Sequence, residues 1–175
     1  MVSFAPNTQS YLYNHMSFFT DYEKEEKPLC CLSKNSIYEW LSCNPHMKKF
    51  KKLVDRANLR GTLNDEQANA TLFAVPDKFL NLDERYIETI DEGSARELIF
   101  SLLILRPLGK DLITSSPVCY FSTKNPAMRM YITNINSITV VNECARVIDF
   151  DKWCDNGVIH ILDNIVFPSD NHFLN

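Results

Sequence analysis

Apolar positions recur along the chain with two different periods, and the change from one to the other divides it. Met47, Phe50, Leu53, Val54 and Ala57 follow spacings of three, four and seven, which predicts a helix with a single apolar stripe. Lys48, Lys49, Lys51, Lys52 and Arg56 fall mainly outside that stripe. A shorter helix precedes it, marked by Ile37, Trp40 and Leu41. Asn44-Pro45 separates the two, with Asn as a cap and Pro at the first helical position. Gly61 is expected to end this pair. Thr71 to Pro76 is a continuous β-prone run closed by Pro-Asp, predicting a strand, then a turn, with a helical turn starting at Asp77. Ser94 stands three residues before Glu97, a capping-box spacing. Leu98, Ile99, Leu102 and Leu105 then form the stripe of a buried helix that Arg106-Pro107 stops.

From Gly109 onward the texture becomes β-rich, in short segments: Val118 to Ser122, Met128 to Thr133, Ser137 to Val141, Ala145 to Phe150 and Val158 to Phe167. Their spacing is that of neighbouring antiparallel strands. Asn156-Gly157 is the strongest turn signal, because both residues tolerate positive φ. A helical half with one early strand, followed by a β-rich half, predicts an α+β domain over residues 36–168 with a short tail at 169–175.

Residues 1–35 do not share this regularity. Phe4, Tyr11, Tyr13, Phe18, Phe19 and Tyr22 are scattered among polar residues and followed by the charged run Glu23 to Lys27. An arm of this kind has no core of its own and must pack on its domain or on a partner. The six aromatics are candidate partner-binding residues, since aromatic side chains give large contact area at small entropic cost.

Composition narrows the choice further. At 175 residues, 45% hydrophobic and 23% charged, the chain suits one compact domain. A net charge of -4 gives no general attraction for nucleic acid or anionic lipid, and the cluster His46 to Lys52 reads as a solvated helix face. The longest apolar run, Leu98 to Leu105, is too short to span a bilayer. The N-terminus lacks the basic and apolar regions of an export signal, so an intracellular setting is expected over independent secretion. Of six cysteines, Cys30 and Cys31 are adjacent, and Cys43, Cys119, Cys144 and Cys154 have apolar neighbours. No CxxC pair occurs, and reduced thiols are expected.

The chemistry-bearing residues do not converge. His15, His46, His160 and His172 lack metal-ligand spacing, and four glycines make no phosphate loop, so neither a metal nor a cofactor is expected. A thiol-histidine pair of Cys154 and His160 can be imagined. Alternation instead places His160 on one strand face with Val158 and Leu162, hydrogen-bonded near the core edge. Asp77 reads as a cap of its own turn, and Asp163 as a ligand of a backbone amide or a cation. No catalytic residue is assigned.

The segments Thr71 to Asp77 (TLFAVPD) and Asn156 to Asp163 (NGVIHILD) resemble, in order and separation, the two signature boxes of fasciclin domains. The opening helix pair, the buried helix ARELIFSLLIL and the closing strand extend the resemblance over about Ser36 to Pro168. It implies a β-sandwich or wedge of mostly antiparallel strands with helices packed along it, and a non-enzymatic role in adhesion and protein contact. Where many members carry a Tyr-His pair after the buried helix, this sequence has Leu105 and Arg106, which adds Arg106 to the candidate partner-binding residues. The expected function is a structural interaction module that cements a larger assembly, a virus particle being one setting for unsecreted relatives. Cell adhesion and binding of a small apolar ligand between helices and sheet are the alternatives.

Overall fold

A computed structural model describes residues 35–168. The candidate arm residues Phe4, Tyr11, Tyr13, Phe18, Phe19 and Tyr22, with Cys30, Cys31 and the tail, lie outside the described residues. Helices α1 (Ile37–Cys43), α2 (Lys48–Arg56) and α3 (Arg60–Asn64) lead into strand β1 (Ala70–Ala74). Helices α4 (Glu84–Thr89) and α5 (Glu92–Ser101) follow, then the two-residue strand β2 (Leu103–Ile104) and the short helix α6 (Lys110–Ile113). The rest is β3 (Val118–Ser122), β4 (Arg129–Ile135), β5 (Ile138–Val141), β6 (Ala145–Cys154) and β7 (Gly157–Leu162).

One seven-stranded sheet runs in the order β2-β1-β7-β6-β5-β4-β3. Only β1 and β7 are parallel, with Phe73 beside His160; every other neighbouring pair is antiparallel. The α+β class and its antiparallel β-rich half are therefore as the sequence predicts. β1 and β7 are buried along their whole length, as strands covered on both faces must be. Phe50, Leu53, Leu72, Phe73, Ile99 and Leu102 fill the space between helices and sheet.

Several local expectations are corrected, each for a physical reason. Gly61 does not end the helix pair but lies inside α3. The break comes earlier at Asn58, which adopts φ 55°, a conformation Asn tolerates. Asp91, not Ser94, caps α5, accepting the Ser94 N–H at 2.9 Å and the Ser94 hydroxyl at 2.7 Å. The true capping box belongs to α1, where Ser36 and Glu39 satisfy each other's backbone N–H groups. The buried helix stops at Ser101 because β1 offers backbone partners to Leu103 and Ile104. Leu105 is consequently 54% exposed and not part of the core stripe.

Candidate interaction surface

The two boxes build the frame on which this surface rests. Thr71 of the first box is fully buried, donates its hydroxyl to the Arg106 carbonyl at 2.7 Å and accepts the Leu108 N–H at 2.8 Å. His160 of the second box is also fully buried, and its Nε2 bonds the Leu108 carbonyl at 2.7 Å. Its Nδ1 accepts the Asp151 N–H at 3.2 Å, so the ring is neutral with the proton on Nε2. Burial pushes the His160 pKa below its usual value. Two polar residues from adjacent parallel strands thus pin the same segment, Arg106 to Leu108, to the sheet.

A bulge in β6 makes the His160 contact possible. Register shifts around Asp149, with Asp151 at φ 58°, turn the Asp151 N–H toward the ring and its carboxylate toward the N-terminus of α6, where it accepts the Lys110 N–H at 2.8 Å. Cys154 is not a partner of His160. Its thiol is aimed at the Lys152 carbonyl at 3.7 Å, and burial raises its pKa to about 12, which keeps it in the unreactive protonated form. Cys119, like Cys154, is a free thiol.

The other singled-out residues have structural partners. Asp163 accepts the Arg146 N–H at 2.7 Å and bridges its guanidinium at 2.6 Å, tying β6 to the end of β7. Asp77 caps not its own turn but α2, accepting the Lys49 N–H at 2.9 Å where Met47 supplies no side-chain cap. Of the lysine cluster, Lys51 pairs with Asp55, and Lys52 reaches Glu84 and Glu88 on α4. Asn156 works differently from the turn reading. It is buried, its φ is not positive, and its side chain accepts from Ile37 N–H at 2.9 Å and donates to Leu63 and Asp65 carbonyls at 2.8 and 2.9 Å. Gly157 carries the positive φ at 154°, and a Cβ there would overlap the Ala70 carbonyl. Among the described residues, no three His, Cys, Asp or Glu side chains gather as a metal-binding group.

On the meander β3-β4-β5 both faces are apolar. Phe121, Met130, Ile132 and Val141 point inward and are buried. The outward set is apolar as well: register places Tyr120 opposite Tyr131, with rings 5.0 Å apart, and Ile135 opposite Ile138 across a two-residue turn. Val118 and Val140 flank Thr133 between them. Tyr120 is 61% exposed and Ile135 65% exposed, and Ile138 and Val118 are also open to solvent. Exposed apolar side chains gathered on one sheet face make it a candidate contact surface. At its side lies an open cleft of about 460 Å³, lined by Ile104, Leu105, Arg106 and Tyr120 to Thr123. The exposed Arg106 guanidinium stacks over Phe121 at 5.3 Å. Arg106 therefore lines the cleft beside that face, while the six arm aromatics fall outside the described residues. The outward face was missed in the sequence although its signal was present. In VCYFS, RMYITNI and ITVV most of the alternate positions that should be polar are apolar too.

A family model described as the Fasciclin domain matches residues 45–168. Among solved structures, the FAS1 domain pair of the insect cell adhesion molecule Fasciclin I superposes with a TM-score of 0.63 at 15% sequence identity. That match covers 78% of this chain and 52% of the other. The chain thus spans about half the length of that structure, and the likeness is one of fold. A search of curated proteins finds no match.

Proposed function

The chain belongs to the fasciclin-domain family, and from that premise we propose that it is a non-enzymatic interaction module whose contact surface is the outer face of β3, β4 and β5 with the adjoining Arg106 corner. Fasciclin domains are generally protein-interaction or adhesion modules, and the described residues contain no helix long and apolar enough to cross a membrane. The single observation that carries the reading is the exposed apolar set Val118, Tyr120, Ile135 and Ile138 on one sheet face. The buried polar residues of the boxes support it from the other side: Thr71 and His160 spend their polar atoms on holding the scaffold.

The partner is another protein chain. The domain's role in this reading is to cement a larger assembly, such as a virus particle, and the aromatic composition of residues 1–35 supports that role. Cell adhesion is a second reading, favoured by the fold shared with the insect adhesion molecule. Both use the same face.

The test is a paired substitution, Tyr120→Asp with Ile138→Asp, compared with Lys52→Glu on the helical side. Tyr120 and Ile138 are exposed, and Lys52→Glu gives up only solvent-exposed ion pairs to Glu84 and Glu88, so the melting temperature should fall only modestly in either variant. The face variant is expected to lose association with partner proteins recovered by the intact chain, and Lys52→Glu to retain it. Equal recovery by all three would refute the assignment of this face.

A further inference from the structure

Hydrogen bonds within the meander show which way the backbone of β3 points. The Tyr131 carbonyl accepts the Asn142 N–H at 2.7 Å, and the Tyr131 N–H donates to the Asn142 side chain at 2.7 Å. Both main-chain groups of Tyr131 are thus spent on the side away from β3. Tyr120, directly opposite in register, therefore makes a pair without hydrogen bonds to β4. The bond from the Asn134 N–H to the Pro117 carbonyl at 2.8 Å fixes the same alternation from the other end of the strand. It follows that the N–H and C=O groups of Val118, Tyr120 and Ser122 point away from β4, and β3 is the last strand in that direction among the described residues. Its sequence, VCYFS, has none of the charges or prolines that keep natural edge strands from pairing.

The other outermost strand stands across a gap. The Phe73 N–H bonds the Leu102 carbonyl at 2.9 Å, so alternation turns the main-chain groups of Leu103 away from β1. The Leu103 carbonyl accepts the Lys124 N–H at 2.6 Å, which joins β2 to the end of β3. Beyond that bond the cleft opens, with Ile104 to Arg106 on one wall and Tyr120 to Thr123 on the other. Leu105 makes no main-chain hydrogen bond among the described residues. Walls on both sides admit one extended strand. The edge of a second sheet would bring its next strand, about 4.8 Å further on, against Leu105. Arg106 alone of the lining residues is charged, and it has no ion-pair partner among the described residues. Its guanidinium lies over Phe121 and its carbonyl is held by the buried Thr71 hydroxyl, so the cation is fixed beside the gap.

We infer that a single extended segment of a partner protein, carrying an Asp or Glu, adds as a strand to the free edge of β3 inside this cleft. The outward main-chain groups of Tyr120 and Ser122 hold its backbone, and Arg106 receives its carboxylate. Main-chain bonds of this kind supply affinity for any extended chain, while the charge selects among segments. Added salt weakens that selection. The inference rests on the interaction role proposed above and names the form in which the partner is held.

Panning a random heptapeptide library against the full chain tests it. Enriched sequences are expected to carry Asp or Glu and to lack a central Pro. Added as synthetic peptides, they should slow exchange of the Tyr120 and Ser122 amides about tenfold or more, with Cys119 and Phe121, already bonded to β4, as internal references. Ser122→Pro removes one outward N–H and leaves the bonds to β4 in place, so it should weaken peptide binding about tenfold. Arg106→Glu should switch the selected residue from Asp or Glu to Lys or Arg. No enrichment, enrichment without an acidic preference, or peptides that leave the Tyr120 and Ser122 amides unchanged would overturn the inference. Slow exchange of those two amides before any peptide is added would also overturn it. The edge would then be filled already, by a second copy if protection grows with protein concentration and from within the chain if it does not. Loss of partner proteins on Tyr120→Asp with Ile138→Asp, in the absence of any peptide response, would leave the outer face assigned and remove strand addition alone.

Discussion

His160 and Asn156 sit four positions apart in one box and spend their polar atoms on distant segments. His160 is held neutral by burial, whereas the unfolded side chain titrates near its usual 6.5. The unfolded state therefore binds more protons below that pH, and stability falls as pH drops from about 6.5 toward the lower folded value. Denaturant unfolding at pH 7 and pH 5 should show this loss, and His160→Gln, though less stable at pH 7, should flatten it; an unchanged slope would contradict the assignment. Asn156→Ala strips the partners from one buried N–H and two carbonyls, for an expected cost of about 2–4 kcal/mol. Gly157→Ala, which drives a Cβ into the Ala70 carbonyl, should cost at least as much, and urea midpoints would measure both.

These residues show where the sequence was legible and where it was not. Asn-Gly announced a turn correctly, yet by the wrong atoms: Asn156 matters for its amide, which reaches Ile37 and Leu63 across gaps of 119 and 93 residues. No local pattern encodes so distant a partner. The burial of His160 followed from its apolar neighbours, but its partner Leu108 depends on how β7 lies beside β1. Arg106 was singled out because it departs from the family pattern. That its carbonyl is clamped by Thr71 could be seen only once the strands were paired.

At the scale of elements, periodicity sufficed wherever one face was apolar. The stripe of α2 is buried at all five positions named from the sequence, and its lysines meet acidic residues on α2 itself and on α4. Termini were harder, because a cap can come from elsewhere in the chain. Asp77 shows this, closing α2 from the turn after β1. Asp77→Ala should destabilise the domain by about 1 kcal/mol, and Asp77→Asn, which retains an acceptor oxygen, by less. Equal losses in thermal melts would mean that charge, not the hydrogen bond, matters. β2 escaped the sequence reading because two residues following a helix stripe carry no period of their own; only the exposed edge of β1 makes them a strand.

For the whole molecule, the helices cover β1 and β7, while the β3-β4-β5 meander is left with a second apolar face and no described element over it. The family boxes build the scaffold, and the Arg106 corner and the apolar outer face meet at the cleft between β2 and β3. Interaction through these two surfaces is the function proposed for the domain. The most direct measurement places a photoreactive amino acid at Tyr120, at Ile138 and, for comparison, at Lys52 on the helical side, in the full chain within its native setting. Cross-linked protein adducts at positions 120 and 138, with none at 52, are the predicted result. Adducts at position 52 alone, or none at 120 and 138, would contradict the account.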